Sequence, residues 1–454
     1  MGLHERSNGR GRNLIDSLAR VLALLTHHGA YRIYAKRLSP NDNSKNQVYL
    51  GGGFAALNVL PHGEIYVDAT SRAGSKQDRP KAALRFFWIN EDGKHPAPDA
   101  NLILYPDYPE VRMSGFLRGC KSAPNRLMAS RDEGRVLFLG VTREGQVLGF
   151  VTDGDSPISN QFNSGAWPTL GVFLELPLSL DAPTDPKAVL LAELCRIHDL
   201  HWIGSQKLAR TGAKRPYAAR NGGGYTLEAE LGVQPNGYAE PDFMGWEVKQ
   251  YGVRDFVRFA PKSAVTLFTP EPTGGFYKTG TAEKFVERFG YVDKSGKPDR
   301  INFGGVYSCQ KVVHADTGLR MTLNGFDAQA GRITNMDGGL ALITKDGEEA
   351  ATWSFSGLMA HWNRKHAQAA YVPSLYRTPP PEYRYGPQVL LCEQTDFILF
   401  LKAFAMGAVY YDPALKLERM ASGKQELHRR SQFRIHHSNL VRMYHRHEIV
   451  SVTS

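Results

Sequence analysis

Cysteine is scarce in this 454-residue chain: Cys120, Cys195, Cys309 and Cys392 lie far apart, with no pair at a metal-ligand spacing. This excludes a zinc knuckle and a disulfide framework and suits a reducing, cytoplasmic setting. Long apolar runs are missing too. Residues 14–25 come nearest, but they carry Asp16 and Arg20, are too short to span a bilayer and have no small-residue cleavage site. They read as an amphipathic helix, and no membrane partner is expected. Acidic residues are in deficit, 45 against 55 Lys and Arg, leaving a net charge of +10. A polyanionic partner suits that balance, although charge alone does not choose between nucleic acid and another acidic surface.

At 42% hydrophobic and 22% charged residues the chain is globular in composition, and its length predicts two domains. Residues 176–186 have linker composition, with prolines that stiffen them. Asp185 is placed as an N-cap and Pro186 as the first position of a helix over residues 187–200. The boundary therefore falls near Asp181, giving domains 1–181 and 182–454.

Residues 30–173 alternate short β-like runs with turn residues, at 32–35, 47–50, 64–68, 84–89, 102–105, 136–141 and 146–151. This pattern predicts a compact barrel or sandwich. Two of its loops carry side chains that read base edges or phosphates. One, residues 36–47, holds Lys36, Asn41, Lys45 and Gln47. The other, residues 105–112, ends on Glu110 and Arg112.

The richest stretch is Glu240-Pro241-Asp242-Phe243-Met244-Gly245-Trp246-Glu247-Val248-Lys249. A strand over residues 245–249 projects Glu247 and Lys249 to one face, roughly 7 Å apart, and turns Trp246 and Val248 to a core. Asp242 sits just before it. Two carboxylates able to share a divalent cation, beside a lysine that orients water, match metal-assisted phosphodiester hydrolysis. The lead, residues 221–232, reads as a glycine-rich turn feeding a short helix and adds the carboxylate of Glu228. Lys207, Arg210, Lys214, Arg215 and Arg220 precede it as candidate phosphate neutralisers. Residues 281–289 and 356–366 read as further helices, and the tail 429–447 mixes arginine and histidine with apolar anchors.

Residues 221–249, followed by Val265-Thr266-Leu267-Phe268-Thr269-Pro270-Glu271-Pro272 and Ser431-Gln432-Phe433-Arg434-Ile435, resemble the MvaI/BcnI family of restriction endonucleases. That family's catalytic module is similar to the mismatch-repair nickase MutH. The resemblance implies a PD-(D/E)XK nuclease domain of restriction-endonuclease-like α/β fold with a mixed central sheet. Asp242 and Glu247 would bind Mg²⁺ with the carbonyl of Val248, Lys249 would position the attacking water, and double-stranded DNA would be the substrate. It also implies a monomer, possible company from a cognate DNA methyltransferase, and base recognition by His361, Lys365 and Arg434. A second resemblance rests on Lys-Arg-Leu-Ser-x-Asn-Asp, Gln-Val-Tyr-Leu, Arg85-Phe86-Phe87-Trp88-Ile89-Asn90 and Pro109-Glu110-Val111-Arg112. These look like the N-terminal effector domain of the EcoRII endonuclease, a DNA-binding pseudobarrel, and imply DNA contacts at Lys36, Asn41, Lys45, Gln47, Glu110 and Arg112.

The expectation is thus an α+β protein of two domains, an N-terminal β-pseudobarrel reading or gating DNA and a C-terminal Mg²⁺-dependent restriction endonuclease. Two alternatives stay open. One is a MutH-like nickase acting in repair. The other is a non-catalytic DNA-binding or modification-reading regulator, against which the intact Asp242, Glu247 and Lys249 argue.

Overall fold

The computed structural model describes residues 15–40, 47–67, 79–106, 109–180, 185–209, 211–219, 221–233, 243–362, 368–419 and 425–453. The chain is α+β. Among the described residues its first part holds two sheets. The larger runs in the order Thr169–Leu170, Phe173–Leu176, Ala30–Arg37, Val136–Thr142, Val147–Thr152, Phe86–Asn90, Gly93–Ala97. The smaller runs Val48–Gly52, Glu110–Ser114, Asn101–Tyr105, Pro80–Ala83, Ile65–Val67.

Strand alternation sorts the side chains between two layers. Along Ala30–Arg37, Tyr34 joins a core with Trp88, Leu102, Leu104, Val111 and Met113 of both sheets. Its neighbours Ile33 and Ala35 face the opposite way, against the helix Leu18–His27. That helix buries Leu18, Val21, Leu22 and Leu25, the i, i+3, i+4, i+7 stripe of an amphipathic helix. Val136–Thr142 is buried at all seven positions because both its faces are covered. Among the described residues the two sheets share no strand, so the expected pseudobarrel is a pair of packed sheets and not a closed barrel.

The second part is built on a mixed sheet ordered Ile203–Gly204, Glu382–Tyr385, Gln368–Arg377, Gln388–Thr395, Tyr444–Ser451. Glu247–Gly252 adds to it in parallel with Gln368–Arg377. One face of this sheet is covered by the helices Pro186–Asp199 and Gly222–Glu230, through Leu190, Leu194, Ile197 and Leu227. Asp185 accepts from the Lys187 amide and Pro186 opens the first of these helices, as the sequence predicts. The opposite face carries Tyr251, Tyr371 and Cys392 into the main core. The strand Val265–Phe268 lies outside this sheet and pairs with Phe433–Ile435, while Thr281 caps the helix Ala282–Phe289.

The glycine-rich lead differs from its expected form. Gly222, Gly223 and Gly224 are the first turn of the helix itself, not a loop before it. The reason is close approach: a Cβ at Gly222 would fall 2.4 Å from Ser205 Oγ, and one at Gly223 would fall 2.8 Å from the Gln250 side chain. Only residues without a side chain let this helix lie against the strand that follows Asp242.

Among the described residues no strand pair joins the two parts, yet they pack together, and Asp396 fastens them. Its Oδ1 accepts from the Ile398 amide, capping the helix Phe397–Ala405, while Oδ2 accepts from the Phe54 amide at 3.2 Å. Gly53 has φ +74°, and a Cβ there would lie 1.9 Å from Asp396 Oδ2. Asn58 Nδ2 donates to the Thr395 carbonyl at 3.2 Å and Gln394 Nε2 to that of Thr169 at 3.1 Å. Among the described residues no helix is long and apolar enough to cross a membrane.

Candidate active site

The chain enters the site through a two-residue turn. Phe243 and Trp246 exchange both backbone hydrogen bonds, at 2.9 and 2.8 Å. Met244 and Gly245 between them have φ of +47° and +87°, the left-handed pair of a type I′ turn. The strand therefore runs Glu247–Gly252 and begins two residues later than the sequence suggests. Met244-Gly245 has ordinary strand spacing in sequence, and only the backbone conformation assigns it to the turn.

Past the turn the expected division of faces holds. Trp246 and Val248 are buried against the helices, which contributes about 2 kcal/mol for a buried Val-sized side chain. Glu247 and Lys249 share the other face. Glu247 is only 5% exposed, and its Oε1 accepts from Lys249 Nζ at 2.9 Å. The pair is thus largely desolvated, which strengthens its mutual attraction and raises the cost of breaking it.

The sheet register supplies a floor that the sequence does not reveal. Lys249 stands opposite Tyr371 and Glu247 opposite Ala369, which is itself opposite Cys392. The Tyr371 and Tyr444 hydroxyls are 3.1 Å apart. Burial pushes both phenols well above their ordinary range, and the charge of Glu247 adds to the shift, so both remain protonated. Burial likewise pushes the Cys392 thiol up to about 12, so it stands as a neutral thiol. The carboxylate of Glu247 is a hard oxygen donor, of the kind that suits a hard divalent cation such as Mg²⁺. Among the described residues no three His, Cys, Asp or Glu side chains converge as a metal centre. Asp242, the other carboxylate of the expected set, lies outside the described residues and next in sequence to Phe243.

Glu228 is half-buried on the helix Gly222–Glu230, and its charge reaches the buried Tyr385, whose hydroxyl donates to the Gly223 carbonyl at 2.6 Å. His361 is exposed at the end of the helix Phe355–Trp362, and Lys365 lies outside the described residues. Arg434 is held within the protein, donating to Asp412 Oδ2 at 2.6 Å and to the Ala264 carbonyl at 2.7 Å.

In the first part, Asn41 and Lys45 also lie outside the described residues. Lys36 is buried, with Nζ 5.8 Å from the Tyr49 ring centre, and burial lowers its pKa. Gln47, Glu110 and Arg112 come together from the two singled-out loops. Arg112 donates to Glu110 Oε1 at 2.8 Å and to Gln47 Oε1 at 3.4 Å. Two members of this cluster escaped the sequence: Tyr105, whose ring takes Arg112 at 5.0 Å, and Arg79, at 4.5 Å. Pairing of Pro80–Ala83 with Asn101–Tyr105 creates that neighbourhood, and no local pattern signals it.

Comparison with known proteins points to one family. The family model described as MvaI/BcnI restriction endonuclease family matches residues 191–444, more than half of the chain. No curated protein matches. Among solved structures, restriction endonuclease MvaI with its cognate DNA substrate is 17% identical, with 60% of this chain and 100% of that chain covered and a TM-score of 0.44. MvaI in the absence of DNA is 16% identical, with 59% and 99% covered and a TM-score of 0.34. The matched segment contains the turn, the Glu247–Lys249 pair and the helix packed on it, and the chain belongs to the MvaI/BcnI restriction endonuclease family of hydrolases.

Proposed function

We propose that the protein is a sequence-specific, Mg²⁺-dependent endonuclease acting on double-stranded DNA, with its chemistry at Asp242, Glu247 and Lys249. The observation that carries this reading is the buried Glu247–Lys249 pair, 2.9 Å apart on a strand entered through the turn that follows Asp242. Glu247 and Asp242 would hold the ion, with the Val248 carbonyl as a third oxygen donor and Glu228 as a further carboxylate on the adjoining helix. When bound there, the ion supplies a Lewis acid that offsets charge building on the phosphoryl oxygens.

The rest of the work falls to the chain. Lys249 orients the attacking water in line with the leaving oxygen, and its tie to Glu247 limits the rotamers it samples. The Tyr371–Tyr444 floor and the cover of Trp246 and Val248 keep bulk water from the buried side of the pair. Phosphodiester hydrolysis demands a barrier reduction on the order of 20 kcal/mol, so the three residues should act as a unit whose single losses are each severe.

The net charge of +10 suits a DNA partner. The first part, bounded near Asp181, reads or gates DNA through Lys36, Asn41, Lys45, Gln47, Glu110 and Arg112. His361, Lys365 and Arg434 remain proposed recognition residues of the second part. The test is a time course on supercoiled plasmid with Mg²⁺. Linear product after a transient nicked species supports an endonuclease that cuts the strands in turn. Nicked product that never linearises favours the repair-type nickase, and DNA retention without any cleavage favours a non-catalytic reader.

A further inference from the structure

The turn that leads into the active site is not supported by its own domain alone. A Cβ placed on Gly245 would fall 1.3 Å from Nη2 and 2.4 Å from Cζ of Arg32. The guanidinium of a residue on the strand Ala30–Arg37, in the first part of the chain, therefore fills the side-chain space of residue 245. Glycine is required there twice over, by its φ of +87° and by this occupant.

Arg32 is itself held in place. Its Nη1 donates to the Tyr34 hydroxyl at 3.1 Å, and Tyr34 stands opposite Glu175 on the neighbouring strand. Burial by itself would lower the pKa of Arg32, but the surrounding Tyr34 and Glu175 outweigh it and the net shift is upward. Tyr34 is buried and belongs to the core of the first part, so the guanidinium is anchored on a rigid base. The contacts of Asp396 with Phe54 and of Gln394 with Thr169 fix the same two parts against each other elsewhere, so the placement of Arg32 does not hang on one contact.

We propose that Arg32 is a positioning residue for the nuclease: one arm of its guanidinium is tied to Tyr34 while the other braces the Phe243–Trp246 turn and thereby sets where Glu247 and Lys249 stand. The inference rests on the reading of Glu247 and Lys249 as the reacting site. It makes the first part of the chain a structural member of that site, in addition to any role in reading DNA. A forked head is needed, because one arm must reach Tyr34 while the other reaches Gly245. Lysine keeps the charge but offers a single ammonium that cannot do both.

The experiment uses the full chain with Arg32→Lys and Arg32→Met. Hydrogen exchange at the Trp246 amide, which closes the turn, is measured beside cleavage kinetics and thermal unfolding. Arg32→Lys is expected to keep the unfolding midpoint and the KM for DNA, to exchange the Trp246 amide about tenfold faster, and to lower kcat by about ten- to a hundredfold, as loss of sub-ångström placement does. Arg32→Met should be at least as impaired in both exchange and kcat. Wild-type exchange at Trp246 in both variants overturns the inference, as does a wild-type kcat in both. A wild-type protein that cleaves no DNA while its Trp246 exchange still responds to Arg32 would leave the bracing intact and defeat the functional reading instead.

Discussion

Replacing Lys249 by Met tests the energetics of the candidate site and its chemistry together. Methionine keeps the length of the side chain and removes only the ammonium, so the perturbation is mainly electrostatic. The side chains of Glu247 and Lys249 are 6% and 18% exposed, and Nζ lies 2.9 Å from Oε1. Removing one partner of such a buried pair costs about 3–5 kcal/mol. Glu247 retains other contacts, so the lower figure, about 3 kcal/mol, is the better expectation. A loss of that size should lower the unfolding midpoint of the catalytic part by about 6 °C, read by calorimetry on the full chain. The double variant Glu247→Gln/Lys249→Met removes both charges and should recover most of the loss, because a neutral replacement of a buried pair is close to neutral in stability. Neither variant should cleave DNA, and both should still bind it. The reasoning is refuted if Lys249→Met melts within a degree of wild type, if the double variant is as unstable as the single one, or if either cleaves at a near wild-type rate.

Other expectations are more direct. Asp242→Ala should abolish cleavage while leaving a gel-shift titration with DNA close to wild type; persistent cleavage would remove Asp242 from the mechanism. Arg112→Ala breaks the cluster with Gln47 and Glu110 and should weaken DNA binding by about 1–3 kcal/mol, measured by fluorescence anisotropy at fixed salt, if the first part reads DNA there. His437 packs its ring 4.1 Å from that of Tyr251 on the catalytic strand, and burial lowers its pKa below the ordinary 6.5. A depressed histidine contributes stability that is full above about 6.5 and is lost as pH falls through its folded value. The unfolding midpoint should therefore fall between pH 7.5 and 5.5, and His437→Phe should flatten that dependence. An unchanged pH profile in the variant would assign the acid sensitivity to other groups.

The parts of the fold governed by local rules were legible in the sequence. Asp185 and Pro186 announce a helix start because a side-chain cap and a preset φ are properties of single residues, and the helix Pro186–Asp199 begins there. The alternation of Trp246 and Val248 against Glu247 and Lys249 is a period of two, readable without the partner strands. Register is different in kind. That Lys249 stands opposite Tyr371, more than a hundred residues later, depends on which strands pair, and nothing in either segment encodes it. The same holds for Arg79 beside Tyr105 and for Arg32 beside Gly245. The glycines of the lead read as a turn because glycine usually marks one. Here they serve contact between a helix and a strand, a tertiary demand that overrides the local preference. Arg434 is a further case: its charge reads as a ligand for DNA, and nothing in its own segment tells that its fork meets Asp412 and the Ala264 carbonyl.

Incubation of the purified chain with mixed genomic DNA, methylated and unmethylated, in Mg²⁺ and in excess chelator, tests the central claim most directly. The account predicts discrete fragments with Mg²⁺, none with chelator, and none with Glu247→Gln under either condition. Intact DNA in Mg²⁺ with both DNA preparations, or fragments that persist in chelator, would contradict it.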